Sequence, residues 1–167
     1  MAVFFNSGEL YRIAEEMEKT GLAYYSEIAR NTADKSVKAV FQFLAAAEKR
    51  HQRLFRRMMN SSPKSSPPES YKGEYRNYLA ALLKEQVFPS SASARSRAAR
   101  SGVTGALNTG IKTEKDSILF YSGLLDLVRP DDRTAIDKII NEEKRHLRKL
   151  MDYKYKSGCF LQAKGKK

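Results

Sequence analysis

Glu48-Lys49-Arg50-His51 and Glu143-Lys144-Arg145-His146 are the two stretches that decide how this sequence folds. They hold both histidines of the 167-residue chain, and each histidine closes the same tetrapeptide. With 12 Glu in 167 positions, composition alone places a Glu three before one His about 7% of the time, and before both about 0.5%. On a helix, positions i and i+3 share a face about 5 Å apart along the axis, so a carboxylate and an imidazole can converge on one cation while the intervening Lys and Arg point elsewhere. Each pair is in phase with an apolar stripe: Glu48 with Phe41, Leu44 and Phe55, and Glu143 with Ile136, Ile139, Ile140 and Leu150. One such pair would read as an exposed Glu–His contact on a helix surface. Two on buried-side stripes read differently, because an ionised carboxylate there is costly unless a cation neutralises it.

Working outward, Leu10, Ile13, Ala14, Met17, Leu22, Tyr25, Ile28 and Ala29 recur at three- and four-residue spacing, which predicts an amphipathic helix over about 10–30. Asn31 to Asp34 supply a break and an N-cap, and the period resumes over 34–59 through Val37, Phe41, Leu44, Leu54, Phe55 and Met58. So short a break makes the two an antiparallel hairpin, 10–59. Residues 60–70, rich in Ser and Pro, cannot sustain a helix interior and open a crossover over 60–103. Within it Tyr71 to Phe88 has the pattern of a short extra helix, whereas Ser90–Ser101 is small, polar and basic and its pattern decides nothing. A second hairpin, 104–154, is predicted from helices over 104–128 and 132–154, with Arg129-Pro130 as the break, Asp131 or Asp132 as the cap and 155–167 as a basic tail. The expectation is a single all-α domain, a four-helix bundle of two hairpins joined by a long crossover.

The two remaining helices each offer one carboxylate in a repeated frame, Glu18-Lys-Thr-Gly-Leu-Ala-Tyr-Tyr25 and Glu114-Lys-Asp-Ser-Ile-Leu-Phe-Tyr121. Glu18 precedes Glu48 by 30 residues and Glu114 precedes Glu143 by 29, so the halves of the chain form an internal repeat. One Glu from each of two helices and a Glu-x-x-His from each of the other two is the donor set of a carboxylate-bridged dinuclear metal site in a bundle. The four carboxylates balance two divalent ions, and oxidation of both would leave positive charge for a reduced oxygen species to offset. Iron suits such redox chemistry, while manganese and zinc suit the same donors. Tyr25 and Tyr121 lie two turns beyond their Glu, and since helix side chains lean towards the N-terminus each ring is expected to reach back to its own carboxylate as a hydrogen-bond donor. Phe41, Phe43, Phe55, Met58 and Met59 are expected to be core, and Glu15 a surface partner of Lys19.

Over roughly 10–60 and 104–153 the sequence resembles the rubrerythrin branch of the ferritin-like superfamily, whose erythrin-like domain carries Glu-(six residues)-Tyr followed by Glu-x-x-His, twice. The resemblance implies a ferritin-like bundle holding two iron ions, with Glu48 and Glu143 bridging, Glu18 and Glu114 as terminal ligands, and His51 and His146 as one nitrogen ligand per metal. Two features depart from rubrerythrin proper. Ser117 stands where a further ligating Glu would be, one turn after Glu114, and one cysteine cannot build a rubredoxin centre. The implied activity is reduction of hydrogen peroxide or dioxygen, with electrons from an external donor such as a rubredoxin-like carrier. The implied assembly is a small homodimer.

Composition bounds the alternatives. Apolar residues make up 41% and charged residues 30%, with 9 Gly and 5 Pro, which favours a packed fold over disorder. Charges interrupt every apolar run short of a membrane span, and the first ten residues lack the cationic start of a secretory signal, so neither membrane nor export is expected. The lone Cys159 excludes an internal disulfide and points to a reducing compartment, the cytoplasm. The formal charge of +12 raises the question of nucleic acid, but Lys49, Arg50, Arg53, Arg145, Arg148 and their like spread over solvated helix faces and no binding motif accompanies them. Two further readings remain: a ferroxidase or iron-handling protein with ferrous ion as its substrate, and a non-enzymatic basic protein stabilised by metal.

Overall fold

In a computed structural model, residues 7–62 and 102–164 are described, with side chains to residue 156; the expected extra helix at 71–88 lies outside them. Four helices account for the described chain: α1 (Ser7–Asn31), α2 (Lys35–Ser61), α3 (Gly102–Leu124) and α4 (Pro130–Lys164). No strand occurs among the described residues. The predicted helices are all present, and their ends differ from expectation for identifiable reasons.

Asp34 caps α2 as expected: its Oδ1 accepts from the amides of Ser36 at 2.8 Å and Val37 at 3.0 Å, two donors with no partner inside the helix. α3 stops at Leu124 rather than Val128. The chain tightens there into a turn, with the Leu127 amide on the Leu124 carbonyl at 2.9 Å, and tucks Leu127 and Val128 into the core. α4 starts at Pro130, where a missing amide costs nothing, so Asp131 and Asp132 fall within the first turn and neither is the cap. Asp132 instead accepts from the Tyr11 hydroxyl at 2.6 Å and from Arg129 Nε at 2.8 Å. At the far end the expected tail continues as helix to Lys164, since a single Gly158 does not stop one.

Short connections make α1/α2 and α3/α4 antiparallel. The relation between the hairpins follows from two contacts: Tyr25 of α1 meets Glu114 of α3, and Glu18 of α1 meets Tyr121 of α3. Rising numbers on one helix pair with falling numbers on the other, so α1 and α3 are antiparallel and α2 and α3 parallel. The end of α2 and the start of α3 therefore lie at opposite ends of the bundle, which is why the chain needs a long crossover between them.

Two apolar clusters fill the interior. One gathers Leu10, Tyr11, Phe55, Phe120, Leu124, Ile136 and Ile139; the other gathers Tyr24, Ile28, Val37, Phe41, Leu44, Leu107 and Leu150. Gly110 lets α3 approach closely in the second cluster, since a Cβ there would lie 3.2 Å from Leu150 Cδ1. Between the two clusters sits a belt of buried polar residues. No helix among the described residues is long and apolar enough to cross a membrane.

Candidate metal centre

The polar belt contains the six residues singled out above. Glu18, Glu48, Glu114 and Glu143 are between 1% and 3% exposed, and His51 and His146 are 3% and 2% exposed. They fall into two groups, Glu18, Glu48, His51 and Glu143, and Glu48, Glu114, Glu143 and His146. Within each group one donor atom per residue lies within 4.8 Å of all the others, and Glu48 and Glu143 belong to both. The imidazoles are nearly parallel, with ring centres 6.0 Å apart. His51 Nδ1 lies 2.9 Å from Glu143 and 3.5 Å from Glu18. His146 Nδ1 lies 3.1 Å from Glu143 and 3.7 Å from Glu114.

Electrostatics shows what this packing costs. Burial, then repulsion from Glu18 and Glu143, raises the Glu48 carboxyl well above its ordinary range. Burial and Glu143 do the same to Glu114. Burial works against charge on His51, but Glu18 and Glu143 outweigh it and push the imidazole up to about 11. His146 is pushed up to about 9, its burial outweighed by Glu114 and Glu143. Glu143 has burial against it too, yet hydrogen bonding from Glu114 and both imidazoles holds its carboxyl below the ordinary range. Without a cation the belt therefore favours protons on Glu48, Glu114 and both imidazoles, while Glu143 is held towards its charged form. Even so, Glu18 Oε2 and Glu114 Oε2 are buried with no hydrogen-bond partner among the described residues, and Glu143 Oε1 and His51 Nδ1 have none but each other, at 2.9 Å. Buried carboxylate and imidazole atoms so short of partners, facing one small volume, fit a multivalent cation.

The tyrosines are placed otherwise than expected. Tyr25 donates to Glu114 Oε1 at 2.6 Å and Tyr121 donates to Glu18 Oε1, so each reaches across to the other hairpin rather than back to its own carboxylate. The reason is reach: seven residues put a Glu and its own Tyr about 10 Å apart along the axis, whereas antiparallel α1 and α3 bring the crossed partners to one level. Burial, followed by the neighbouring carboxylates, raises both phenols well above the ordinary tyrosine range, so they remain donors.

Three further expectations are corrected. Glu15 is buried and does not pair with Lys19; it accepts from Arg56 Nη2 at 2.5 Å and from Gln52 at 3.1 Å, while Lys19 pairs with Glu16. Phe43 is not core but 43% exposed, its ring edge-on to His146 at 5.6 Å. Met59 is half-buried against the first cluster. Ser117, one turn past Glu114, is buried.

One residue of the site escaped the sequence reading. Glu142, next to Glu143 on α4, meets His51 Nε2 at 3.1 Å and so holds the ring by the nitrogen facing away from the carboxylates. The repeat offered a signal: Glu142 corresponds to Ala47, so the second Glu-x-x-His is preceded by an acid that the first lacks.

A family model described as rubrerythrin matches residues 9–154. Among solved structures, a protein from Thermotoga maritima described as ferritin-like and diiron-carboxylate superposes with a TM-score of 0.70 at 26% identity, covering 92% of this chain and 97% of its own. No curated protein matches the chain in sequence.

Proposed function

Since the chain belongs to the rubrerythrin family, we propose that it is a non-haem di-iron oxidoreductase that reduces hydrogen peroxide, with dioxygen as the alternative oxidant and an external one-electron carrier as donor. The observation that carries this reading is the pair of four-residue groups sharing Glu48 and Glu143. Glu18 and His51 would hold one ion, Glu114 and His146 the other, and the shared carboxylates both. Two ferrous ions bound there would supply the two electrons that cleavage of an O–O bond requires.

The residues around the centre have separate tasks. Tyr25 and Tyr121 fix one oxygen of Glu114 and Glu18, leaving the other oxygen of each for metal. Glu142 orients His51 with Nδ1 inward. The apolar clusters on both sides limit water, which strengthens every charge interaction in the belt. A cytoplasmic dimer is the setting we propose for it.

The test is anaerobic loading with ferrous iron followed by one equivalent of peroxide in a stopped-flow spectrometer. Rapid oxidation of the loaded parent is expected, with Glu48→Ala and Glu143→Ala abolishing it and Glu27→Ala, at a half-buried position of α1 whose carboxylate pairs with Arg30 and not with the belt, changing nothing. A parent that oxidises no faster than free ferrous ion would overturn the reading.

A further inference from the structure

Beside the metal centre, α2 and α4 part to form a cleft of about 670 Å³ that reaches His146 and Phe43. Arg50, Arg145, Arg148, Lys149 and Lys156 line it, against Glu142 and Asp152. Arg50 and Arg145 are engaged with Glu142, at 3.5 Å and 3.8 Å. Lys149 Nζ sits 4.1 Å above the exposed Phe43 ring, and no carboxylate lies within ion-pair distance of Arg148, Lys149 or Lys156 among the described residues. A second, shallower cleft carries the same sign along α4 through Lys138, Lys144, Arg145 and Arg148.

This is a cationic face with an aromatic floor, one ring away from a candidate metal ligand. Its charge repels ferrous ions, so it does not suit metal uptake; peroxide and dioxygen are neutral and indifferent to it. It also disfavours a symmetric contact with a second copy, which would set like charges against each other. What it favours is an anionic partner that must come close to the centre. A reductant is such a partner, because the single cysteine of these 167 residues cannot hold an iron–sulfur or rubredoxin-type centre.

We propose that the α2/α4 face, centred on Phe43, Arg148 and Lys149, is the docking surface of an acidic one-electron carrier protein, with Phe43 and His146 lying between that surface and the candidate metal ligands. The proposal rests on the di-iron reading above. Each turnover takes one electron from each of two reduced carriers and two protons; one peroxide becomes two waters, and both carriers leave oxidised.

Docking is measurable without turnover. The apo protein is titrated calorimetrically with an oxidised, acidic rubredoxin at low and at high salt. Expected are binding by the parent that weakens at least about tenfold with salt, a similar loss in Arg148→Glu/Lys149→Glu, and no loss in Arg12→Glu/Lys112→Glu, which carries the same charge change on exposed positions of α1 and α3. The iron-loaded, oxidised forms should lose rate in step when reduced by rubredoxin, yet reduce equally fast with a small neutral hydroquinone. Absence of binding by the parent, equal binding by both double variants, or duplex DNA displacing rubredoxin and binding more tightly through the same cations would overturn the docking surface. Failure of the di-iron reading would show separately, as a parent that takes up no iron or does not react with peroxide.

Discussion

At the scale of single residues, the bonds from Tyr25 to Glu114 and from Tyr121 to Glu18 tie the two hairpins together at the belt, around candidate ligands whose signal in the sequence is local. A Glu three before a His, twice, in phase with apolar stripes, needs no knowledge of how helices pack. What surrounds them was legible only in part, since it depends on which helix faces which. That Tyr25 and Tyr121 matter could be read from the repeated frame, but that each serves the opposite hairpin follows from the antiparallel level of α1 and α3. Glu142 depends on α4 lying against His51 of α2, and spacing alone puts Phe43 in the core because it cannot tell a closed interface from a cleft. The crossed bonds yield a prediction. Tyr121→Phe removes the donor to Glu18 and leaves a second oxygen of that carboxylate unpaired. Affinity for the ion held by Glu18 and His51 should fall about 10- to 100-fold, and the apo protein should lose about 1–3 kcal/mol in chemical denaturation. Tyr24→Phe, whose ring packs in the apolar cluster beyond the belt, should leave metal affinity unchanged.

At the scale of elements, periodicity located all four helices, and their ends were set by features that periodicity does not carry. Leu125 to Val128 continue the apolar pattern of α3 yet form a turn, because the chain must reverse before Pro130 and can still bury Leu127 and Val128 in doing so. The cap of α2 was readable, since Asp34 follows a polar break and precedes the apolar run; the start of α4 was not, because two adjacent aspartates compete and Pro130 takes the first position. Replacing Asp34 by Ala should cost about 1 kcal/mol of stability, read as a lower urea midpoint with an unchanged slope. Metal affinity should be unaffected, since the cap lies at the bundle end away from the belt.

At the scale of the whole molecule, the bundle is two apolar clusters held apart by a layer that is unfavourable without a cation. The linkage has a definite sign. Glu48 and Glu114 are raised in the folded apo protein, so their contribution to stability is greatest below the ordinary carboxylate range and declines as pH rises. His51 and His146 act in the same direction: their contribution is complete below the ordinary histidine value and is lost as pH climbs through about 9 and then about 11. Glu143 opposes them, contributing above its ordinary value and losing that contribution as pH falls. Metal needs the same oxygens and nitrogens free of protons, so the increase in melting temperature on adding divalent metal should be small near about pH 5 and grow towards about pH 8. The measurement that bears most directly on the account is an anaerobic ferrous titration of the parent at neutral pH, followed by thermal melting at each point. Two ions bound per chain, with a melting temperature that rises until the second site is full, is the result predicted. Binding of one ion or none, or a melting temperature indifferent to iron, would contradict the dinuclear centre.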